Sequence, residues 1–403
     1  VDSGRAARGF SCNAQPLSRF GPDSGGYRVH RYVDRAGREC AYYDSTLLFP
    51  SDVFEQRDHL PGVFVLDMSD PRRPVKTDNL VTPAMLTPHE SMSINTKRGL
   101  LGAVMGNPLT TPSFLDLYDL SQDCRHPVLQ SSTPVPFLGH EGNFAPDGKT
   151  FYATSTAGMT MTAIDVSNPS IPVPLWVKAG VVYHGLNISD DGKRAYVADI
   201  GDAGLTILDT SQIQARTTNP QVPVVAHLTW PEVSIPQTAI PVTIRGHRYL
   251  IEVDEFAGGP SPSAEAAAEV GAARIIDIAN DRKPKVVSNI RLEVHMPKNR
   301  PSQMTDPGAE NSLQGYAGHY CAVPRRNEPG IVACTFILSG LRVFDIREPR
   351  KPREVAYFNA PQHDNLSAAA MSAPAFAPER KEIWYSDGSF GFHALKVANG
   401  AWK

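Results

Sequence analysis

The 403-residue sequence predicts an all-β protein, a seven-bladed β-propeller, on three observations. First, 35 prolines and 31 glycines, about one residue in six against roughly 12% in average proteins, argue against long helices. Second, 41% of the residues are hydrophobic, enough for a substantial core. Third, an apolar run ending in aspartate recurs along the chain within units of roughly 45 to 50 residues, the size of a four-stranded propeller blade.

The recurring pattern is an apolar strand, an aspartate and a polar turn that usually contains proline. It begins with VFVLDMSDPRRPV at residue 63 and ends with LRVFDIREPRKPREV at residue 341. A degenerate seventh copy begins at residue 392, where Lys396 replaces the aspartate. Aspartate side chains commonly cap turns, so we expect a structural role for the aligned residues Asp67, Asp119, Asp165, Asp209, Asp277 and Asp345.

A second hairpin precedes the repeat in each unit. The stretches 143–155, 187–199 and 375–387 each hold two β-rich runs around a turn, and the first two contain Asp-Gly, a strong hairpin signal. Two hairpins give four strands per unit. The last unit stops after its third strand, so residues 9–20 are predicted to supply the missing strand and close the ring, which would otherwise leave open sheet edges.

The apolar run ending in aspartate resembles the LVIVD-repeat family over nearly the whole chain, from about residue 27 to the end. The resemblance implies a bacterial or archaeal β-propeller that is secreted or held at the cell surface, and it implies little about chemistry. We therefore expect one propeller domain over residues 1–403. Insertions at 255–271, 294–318 and 360–371 are expected to form lids on the face where the channel histidines begin.

Histidines recur at one position of the repeat, where the first strand of a unit begins. Histidine accounts for only 12 of 403 residues, yet it fills this position in four of seven units. The others hold Gln237, Ser372 and Val29, with His30 beside Val29. First strands line a propeller channel, so equivalent side chains converge on its axis. Imidazole suits transition metals; the prediction is iron or copper, with zinc as a further option, bound by His89, His140, His184 and His319.

Two glutamates directly follow ring histidines. Because neighbouring strand residues point to opposite sides, Glu90 and Glu141 are not expected to join their own histidines. Two interpretations stay open: each accepts a hydrogen bond from a ligand on the adjacent blade, or each forms a structural pair between blades. Gln237 is also expected to support the metal site: it either approaches the metal or forms a hydrogen bond to a bound ligand. In the lids, His295, Tyr316, His363 and Asp364 are expected to line a substrate pocket.

Five cysteines are present. Cys321 and Cys334 flank a hairpin and are predicted to form a disulfide. Cys12 with Cys40 would tie the closing strand to the first blade and leave Cys124 free, although other pairings are open. Disulfides fit export, as does a polar N-terminus without methionine, typical of a mature chain; a cytoplasmic location is the alternative.

Charge and motifs argue against several function classes. The net charge of -3 and the pI near 6.5 argue against a nucleic-acid partner, and no apolar run reaches the roughly 20 residues of a membrane span. Nucleophile-elbow, P-loop, dinucleotide-binding, CxxC and HExxH motifs are absent from the sequence, which weakens hydrolase, NTPase and nicotinamide hypotheses. Nothing in the sequence distinguishes a monomer from a homo-oligomer.

The leading hypothesis is a metal-dependent oxidoreductase that uses O₂ on a small organic substrate. The predicted site is similar in architecture to those of carotenoid cleavage oxygenases and of selenium-binding proteins with methanethiol oxidase activity, without shared motifs. One alternative is a non-enzymatic extracellular propeller that binds a protein or glycan, with any metal structural. Another is a metal-independent biosynthetic enzyme whose pocket is the channel mouth.

Overall fold

The structure confirms a seven-bladed β-propeller. A computed structural model describes residues 8–21, 25–46, 61–106, 113–135, 139–231, 233–256, 270–296, 299, 315–361, 369–388 and 390–403. Within these ranges the strands form seven antiparallel sheets, six with four strands and one with five. No helix among the described residues is long and apolar enough to span a bilayer.

The chain begins with two strands, β1 (Phe10–Cys12) and β2 (Ala14–Phe20). Blade one then holds β3 (Val29–Val33), β4 (Glu39–Asp44), β5 (Val63–Asp67) and β6 (Val75–Leu80). After the short helix α1 (Pro83–Leu86), blade two holds β7 (Ser93–Asn95), β8 (Leu100–Val104), β9 (Ser113–Asp119) and β10 (Val128–Val135). Blade three holds β11 (Glu141–Phe144), β12 (Thr150–Ser155), β13 (Thr160–Asp165) and β14 (Val173–Ala179).

Blade four holds β15 (Tyr183–Ile188), β16 (Arg194–Asp199), β17 (Gly204–Asp209), the short helix α2 (Ser211–Gln214) and β18 (Val224–Leu228). Blade five holds β19 (Ile235–Ile244), β20 (His247–Glu255), β21 (Ala273–Asp277) and β22 (Lys285–Ile290). Blade six holds β23 (Gly318–Ala322), β24 (Ile331–Phe336), β25 (Gly340–Asp345) and β26 (Arg353–Asn359). Blade seven holds β27 (Ala375–Ala377), β28 (Glu382–Asp387) and β29 (Gly391–Val397), and 3₁₀ turns occur at Glu293–His295, Ile337–Ser339 and Pro378–Arg380.

The N-terminal stretch closes the ring as predicted, and it also extends the sheet of blade six. Strand β2 pairs antiparallel with β29 and becomes the fourth strand of blade seven. Strand β1 pairs with β26 and adds a fifth strand to blade six. Residues 9–20 are therefore two strands, and Asn13 lies between them with a left-handed φ of 54°. Its side-chain amide donates to the Val355 carbonyl at 2.9 Å.

The repeated aspartates have the predicted structural role. Each accepts a hydrogen bond from the backbone N–H two residues further on, which fixes the turn after the third strand of its blade. The six donor–acceptor distances lie between 2.7 and 3.0 Å, for Asp67, Asp119, Asp165, Asp209, Asp277 and Asp345.

The core lies between the blades. Each of the seven junctions between adjacent blades contains its own cluster of buried apolar side chains. The junction of blades seven and one, for example, packs Trp384 and Phe392 against Tyr43 and Leu66. Burying one large apolar side chain contributes about 1.5–3 kcal/mol, so a ring closed at every junction gains more than an open one.

The predicted Cys321–Cys334 disulfide is present and joins directly opposed residues of β23 and β24. The Cys12–Cys40 pairing is wrong. Cys40 pairs with Cys124, and Cys12 is exposed and free. The reason is position: β1 lies on the outer edge of blade six, opposite Tyr357, whereas the turn after β9 brings Cys124 against blade one.

We predict that the cross-blade disulfide stabilises the fold more than the hairpin disulfide. The two bonds span 84 and 13 residues, which the chain-entropy model converts to about 4.6 and about 3 kcal/mol. Urea unfolding followed by tryptophan fluorescence should therefore show a larger loss for Cys40→Ala/Cys124→Ala than for Cys321→Ala/Cys334→Ala. The matched control is Cys12→Ala, with no change expected. A reversed order would contradict the prediction.

Candidate metal centre

The four aligned histidines converge at one end of the channel. His89 and His140 lie just before the inner strands of blades two and three, while His184 and His319 lie within those of blades four and six. The ring centroids of His89 and His140 are 4.6 Å apart, and those of His140 and His184 are 4.9 Å apart. The Nε2 atoms of His140 and His184 approach to 3.0 Å. The four histidines that align in the sequence repeat therefore lie close together in the structure.

A buried carboxylate lies at the centre of this cluster. Glu90 Oε2 is 3.1 Å from the Nε2 atoms of both His140 and His184. Glu90 Oε1 is 3.3 Å from His319 Nε2, and Oε2 is 3.9 Å from His89 Nδ1. The expectation that Glu90 points away from its own histidine is wrong. His89 has a left-handed φ of 49° and β7 begins only at Ser93, so strand alternation does not apply there.

Two further polar side chains hold the Glu90 carboxylate and its partners. Gln237 Nε2 donates to Glu90 Oε1 at 2.7 Å, so Gln237 supports a carboxylate rather than an imidazole. Glu255 Oε2 lies 2.9 Å from His319 Nε2, and Glu255 Oε1 lies 3.7 Å from His184 Nδ1. Sequence reasoning missed Glu255. Its only signal was a carboxylate at the end of β20, at the entry to an insertion on the histidine face.

The outer ring nitrogens are fixed by backbone carbonyls. A carbonyl only accepts hydrogen bonds, so each Nδ1 carries the proton and a neutral ring presents its Nε2 lone pair to the centre. This is the orientation that metal-binding histidines usually have. Backbone carbonyls, rather than Glu90 and Glu141, accept the hydrogen bonds from the outer N–H groups of these histidines. The contacts are His140 Nδ1–Gly106 O (3.2 Å), His184 Nδ1–Pro236 O (2.9 Å) and His319 Nδ1–Met371 O (2.5 Å).

Glu141 takes part in an ion pair between blades. It forms a buried ion pair with Arg28 from the start of blade one and accepts a hydrogen bond from the Tyr320 hydroxyl at 3.4 Å. A Cβ at Gly185 would lie 2.1 Å from Glu141 Oε2, so only glycine leaves room for this carboxylate. Burial raises the pKa of Glu141 to about 7, although the charge of Arg28 opposes the rise.

Several side chains of the cluster have strongly shifted pKa values. Burial alone would lower the pKa of His184, but the carboxylates of Glu255 and Glu90 raise it to about 9. Burial also opposes protonation of His319, and hydrogen bonds to the same two carboxylates raise its pKa to about 10. Burial would raise the pKa of Glu90, but the charge of His184 and histidine hydrogen bonds hold it well below its usual range. Burial and His140 lower the pKa of His89 to about 3.

This charge arrangement fits a divalent cation. At neutral pH, protonated His184 and His319 balance the carboxylates of Glu90 and Glu255, so one divalent cation replaces two protons without changing the total charge. The spacing fits as well. Two ligands bound to one metal at 2.0–2.1 Å are separated by about 2.9–3.4 Å, and the closest donor pairs here are 2.9–3.3 Å apart.

Aromatic rings cover the histidines. Tyr27 lies with its ring centroid 4.3 Å from that of His89 and 5.3 Å from that of His319. Phe256 lies 5.7 Å from His319. Neither aromatic residue belongs to the repeat register, and sequence reasoning did not identify them. Their rings shield the imidazoles from solvent, which strengthens the electrostatic interactions within the cluster.

Of the predicted pocket residues, the structure describes His295 and Tyr316, and Tyr316 packs in the same apolar group as Tyr27 and Phe256. The His295 ring accepts from the Leu292 N–H at Nδ1 (3.3 Å), and its Nε2 donates to the Tyr316 carbonyl at 2.7 Å. It packs on Phe336 with a centroid distance of 5.4 Å. These contacts give His295 a local structural role, and a pocket role for it and for Tyr316 stays a prediction. His363 and Asp364 lie outside the described residues.

Comparison with known proteins supports the fold alone. No protein-family model matches the chain, and no curated protein matches it. Solved β-propellers match at low identity. The β-propeller domain of Myceliophteria thermophila Cps50 is 12% identical with a TM-score of 0.58, covering 94% of this chain and 98% of the other. Kuenenia stuttgartiensis hydrazine synthase is 12% identical (TM-score 0.57; 94% and 97% covered). Pseudomonas aeruginosa periplasmic gluconolactonase is 11% identical (TM-score 0.56; 84% and 95% covered).

We predict that cation binding at this cluster releases protons. Because the pKa values of His184 and His319 are raised to about 9 and about 10, both rings are protonated at pH 7 and must lose their protons to bind a metal. Zn²⁺ titrated into metal-free protein at pH 7 should release two protons per ion. Its apparent affinity should rise with pH and level off above about 10. Calorimetry in buffers of different ionisation enthalpy counts the protons, and a count of zero would contradict the charge balance described above.

Proposed function

We propose that this protein is a metal-dependent oxidoreductase, with iron or copper bound in the propeller channel, that acts with O₂ on a small organic substrate. The observation that carries the proposal is the convergence of imidazole and carboxylate donors at one buried point. One subset, His89, Glu90 and His140, offers three ligand atoms that lie within 4.8 Å of one another. The supporting ligands in this proposal are His184 and His319.

The donor set favours iron. The subset of His89, Glu90 and His140 matches the two imidazoles and one carboxylate that bind iron in non-haem Fe(II) oxygenases. Calcium and magnesium prefer oxygen ligands throughout, whereas most of the donors here are nitrogens. A buried carboxylate among the imidazoles also distinguishes the cluster from an all-histidine copper site. Zinc fits the same donors, and redox activity separates the two metals experimentally.

When bound, iron would supply the activation of O₂. The chain's own residues supply orientation and charge. Backbone carbonyls hold the rings of His140, His184 and His319 with Nε2 towards the centre. Glu90 provides a fixed negative charge, which Gln237 steadies through its hydrogen bond. Tyr27 covers the cluster and keeps bulk water from the imidazoles of His89 and His319.

Glu141 supplies a proton-transfer group next to the cluster. Its pKa of about 7 allows it to hold or release a proton near neutral pH, which suits a general acid or base. The Tyr320 hydroxyl contacts Glu141 Oε2, and Arg28 keeps the other carboxylate oxygen in place.

We predict that metal retention depends on the histidine cluster. Protein produced with both iron and copper supplied should retain one of them stoichiometrically, and His140→Ala should lose most of it because a central donor and its hydrogen bond to Gly106 are removed. The matched control is His126→Ala, since the His126 side chain is 62% exposed and lies outside the cluster. Metal content is measured by mass spectrometry, with circular dichroism to verify folding.

Two results would contradict the metal assignment. One is wild-type protein that contains no stoichiometric metal under either supply. The other is metal retained by the double variant His140→Ala/His184→Ala, which would place the ion elsewhere.

We predict, in addition, that the bound metal is redox-active. With ascorbate as electron donor, iron-loaded protein should consume O₂ faster than the same concentration of free iron, and His140→Ala should not. Zinc-loaded protein is the matched control, because zinc occupies the same donors without redox chemistry. An oxygen electrode gives the rates. Equal rates for iron-loaded and zinc-loaded protein would argue for a structural metal and against an oxidoreductase.

A secreted or cell-surface location is part of the proposal. Two disulfides support it, since such bonds persist in oxidising compartments. Thiol labelling of protein taken from its native cells provides the test. One reactive thiol per chain, that of Cys12, is expected before reduction and five afterwards. Five thiols before reduction would instead favour the cytoplasm.

A further inference from the structure

A cavity lies further along the channel from the histidine cluster, beyond the Arg28–Glu141 pair. Its volume is about 330 Å³, near the lower end of small-molecule sites. The walls come from residues that follow the cluster positions along the inner strands. Asn187 stands three residues after His184, and Ala322 stands three residues after His319. The cavity therefore opens towards the end of the channel opposite the histidines.

The walls of this cavity carry positive charge and no negative charge. Four arginines line it, and no aspartate or glutamate is among the lining residues: Arg28, Arg31, Arg325 and Arg326. His30 also lines the wall, but burial and Arg28 lower its pKa to about 4, so it is neutral. In a chain whose net charge is -3, such a concentration of one sign focuses the field on anions.

Two of these arginines keep hydrogen-bonding capacity for a ligand. Arg28 is 8% exposed; one terminal nitrogen binds Glu141, and its Nε is buried without a hydrogen-bond partner. In the described part of the chain, Arg325 has no ion pair, and its Nε donates only to the Glu328 carbonyl at 3.0 Å. A buried donor without a partner is unfavourable, so an anion that accepts a hydrogen bond from Arg28 would be stabilised there.

The other two arginines are paired with carboxylates outside the wall. Arg31 binds Glu39 and Glu379, and Arg326 binds Asp190, whose side chain is 79% exposed. Asp190 and Glu379 are exposed and therefore screened by water, whereas Glu39 is buried and offsets the charge of Arg31. Arg325 is therefore the arginine of the wall whose charge no carboxylate offsets within the described residues.

We propose that this cavity binds a small organic anion, a carboxylate or a phosphate ester. The charged group binds the arginines, and the apolar part packs on Val29, Ile240 and Phe376, which line the same cavity. The Asn187 amide and the Thr238 hydroxyl lie in the wall as well and provide neutral hydrogen-bonding groups. This proposal is independent of a metal in the histidine cluster.

The test uses three probes with the full-length protein as purified. Benzoate presents a carboxylate on an apolar ring, benzyl alcohol presents the same ring without charge, and inorganic phosphate presents the other head group alone. Binding is measured by calorimetry at fixed ionic strength. Benzoate or phosphate should bind, and benzyl alcohol should bind at least tenfold more weakly than benzoate. Benzoate binding identifies the carboxylate class, and phosphate binding identifies the phosphate class. Binding of neither anion would overturn the proposal.

Variants locate the bound anion. Arg325→Glu should weaken anion binding at least tenfold, because it reverses a charge in the wall. The matched control is Arg350→Glu, which reverses an exposed arginine outside the cavity and should leave binding unchanged. Equal binding by wild type and Arg325→Glu would overturn the proposal, as would equal losses in Arg325→Glu and Arg350→Glu.

A final variant separates this proposal from the metal centre. Carboxylates also bind metals directly, so benzoate binding is repeated with His140→Ala. Retained binding supports the cavity, and lost binding would place the anion at the histidine cluster and overturn the proposal. Conversely, Arg325→Glu should keep the wild-type metal content. Failure of either proposal is therefore visible without failure of the other.

Discussion

The burial of one carboxylate, Glu90, organises the mouth of the channel. Removing an ionised carboxylate from water costs several kcal/mol unless charged and hydrogen-bonding partners surround it. Here the partners are His140, His184, His319 and Gln237, contributed by four different blades. The left-handed backbone at the preceding residue turns the carboxylate inwards. Loss of any one partner would leave buried charge poorly compensated, so the positions of these blades are mutually dependent.

Such a cluster requires a closed ring. Residues 90 and 319 are brought together because the inner strands of successive blades stand side by side around one axis. Strand β2 completes blade seven, and the apolar junction between blades seven and one then forms like the other six. An opened junction would let the inner strands move apart. The N-terminal strands are therefore part of the support of a site from which they are distant in sequence.

Repetition explains which features the sequence could predict. The blades, the turn-capping aspartates and the four histidines recur at fixed offsets, so register alone identified them. Glu255, Arg28 and Tyr27 occur once each and reach the channel through local backbone geometry, which no repeat records. The prediction of the direction in which the Glu90 side chain points was wrong for the same reason. The disulfide partner of Cys40 could not be predicted either. It depends on which turn of the neighbouring blade lies against Cys40, and the local sequence does not indicate this.

The channel has two electrostatic zones that the pair of Arg28 and Glu141 separates. On one side, Glu90 and Glu255 raise the pKa values of His184 and His319 and so hold protons on these rings. On the other side, arginines line a cavity without carboxylates. Arg28 faces both: burial lowers its pKa, and its electrostatic interactions with Tyr320, Glu141 and Glu90 raise it. A change in the charge of Glu141, whose pKa is about 7, would alter the field on both sides.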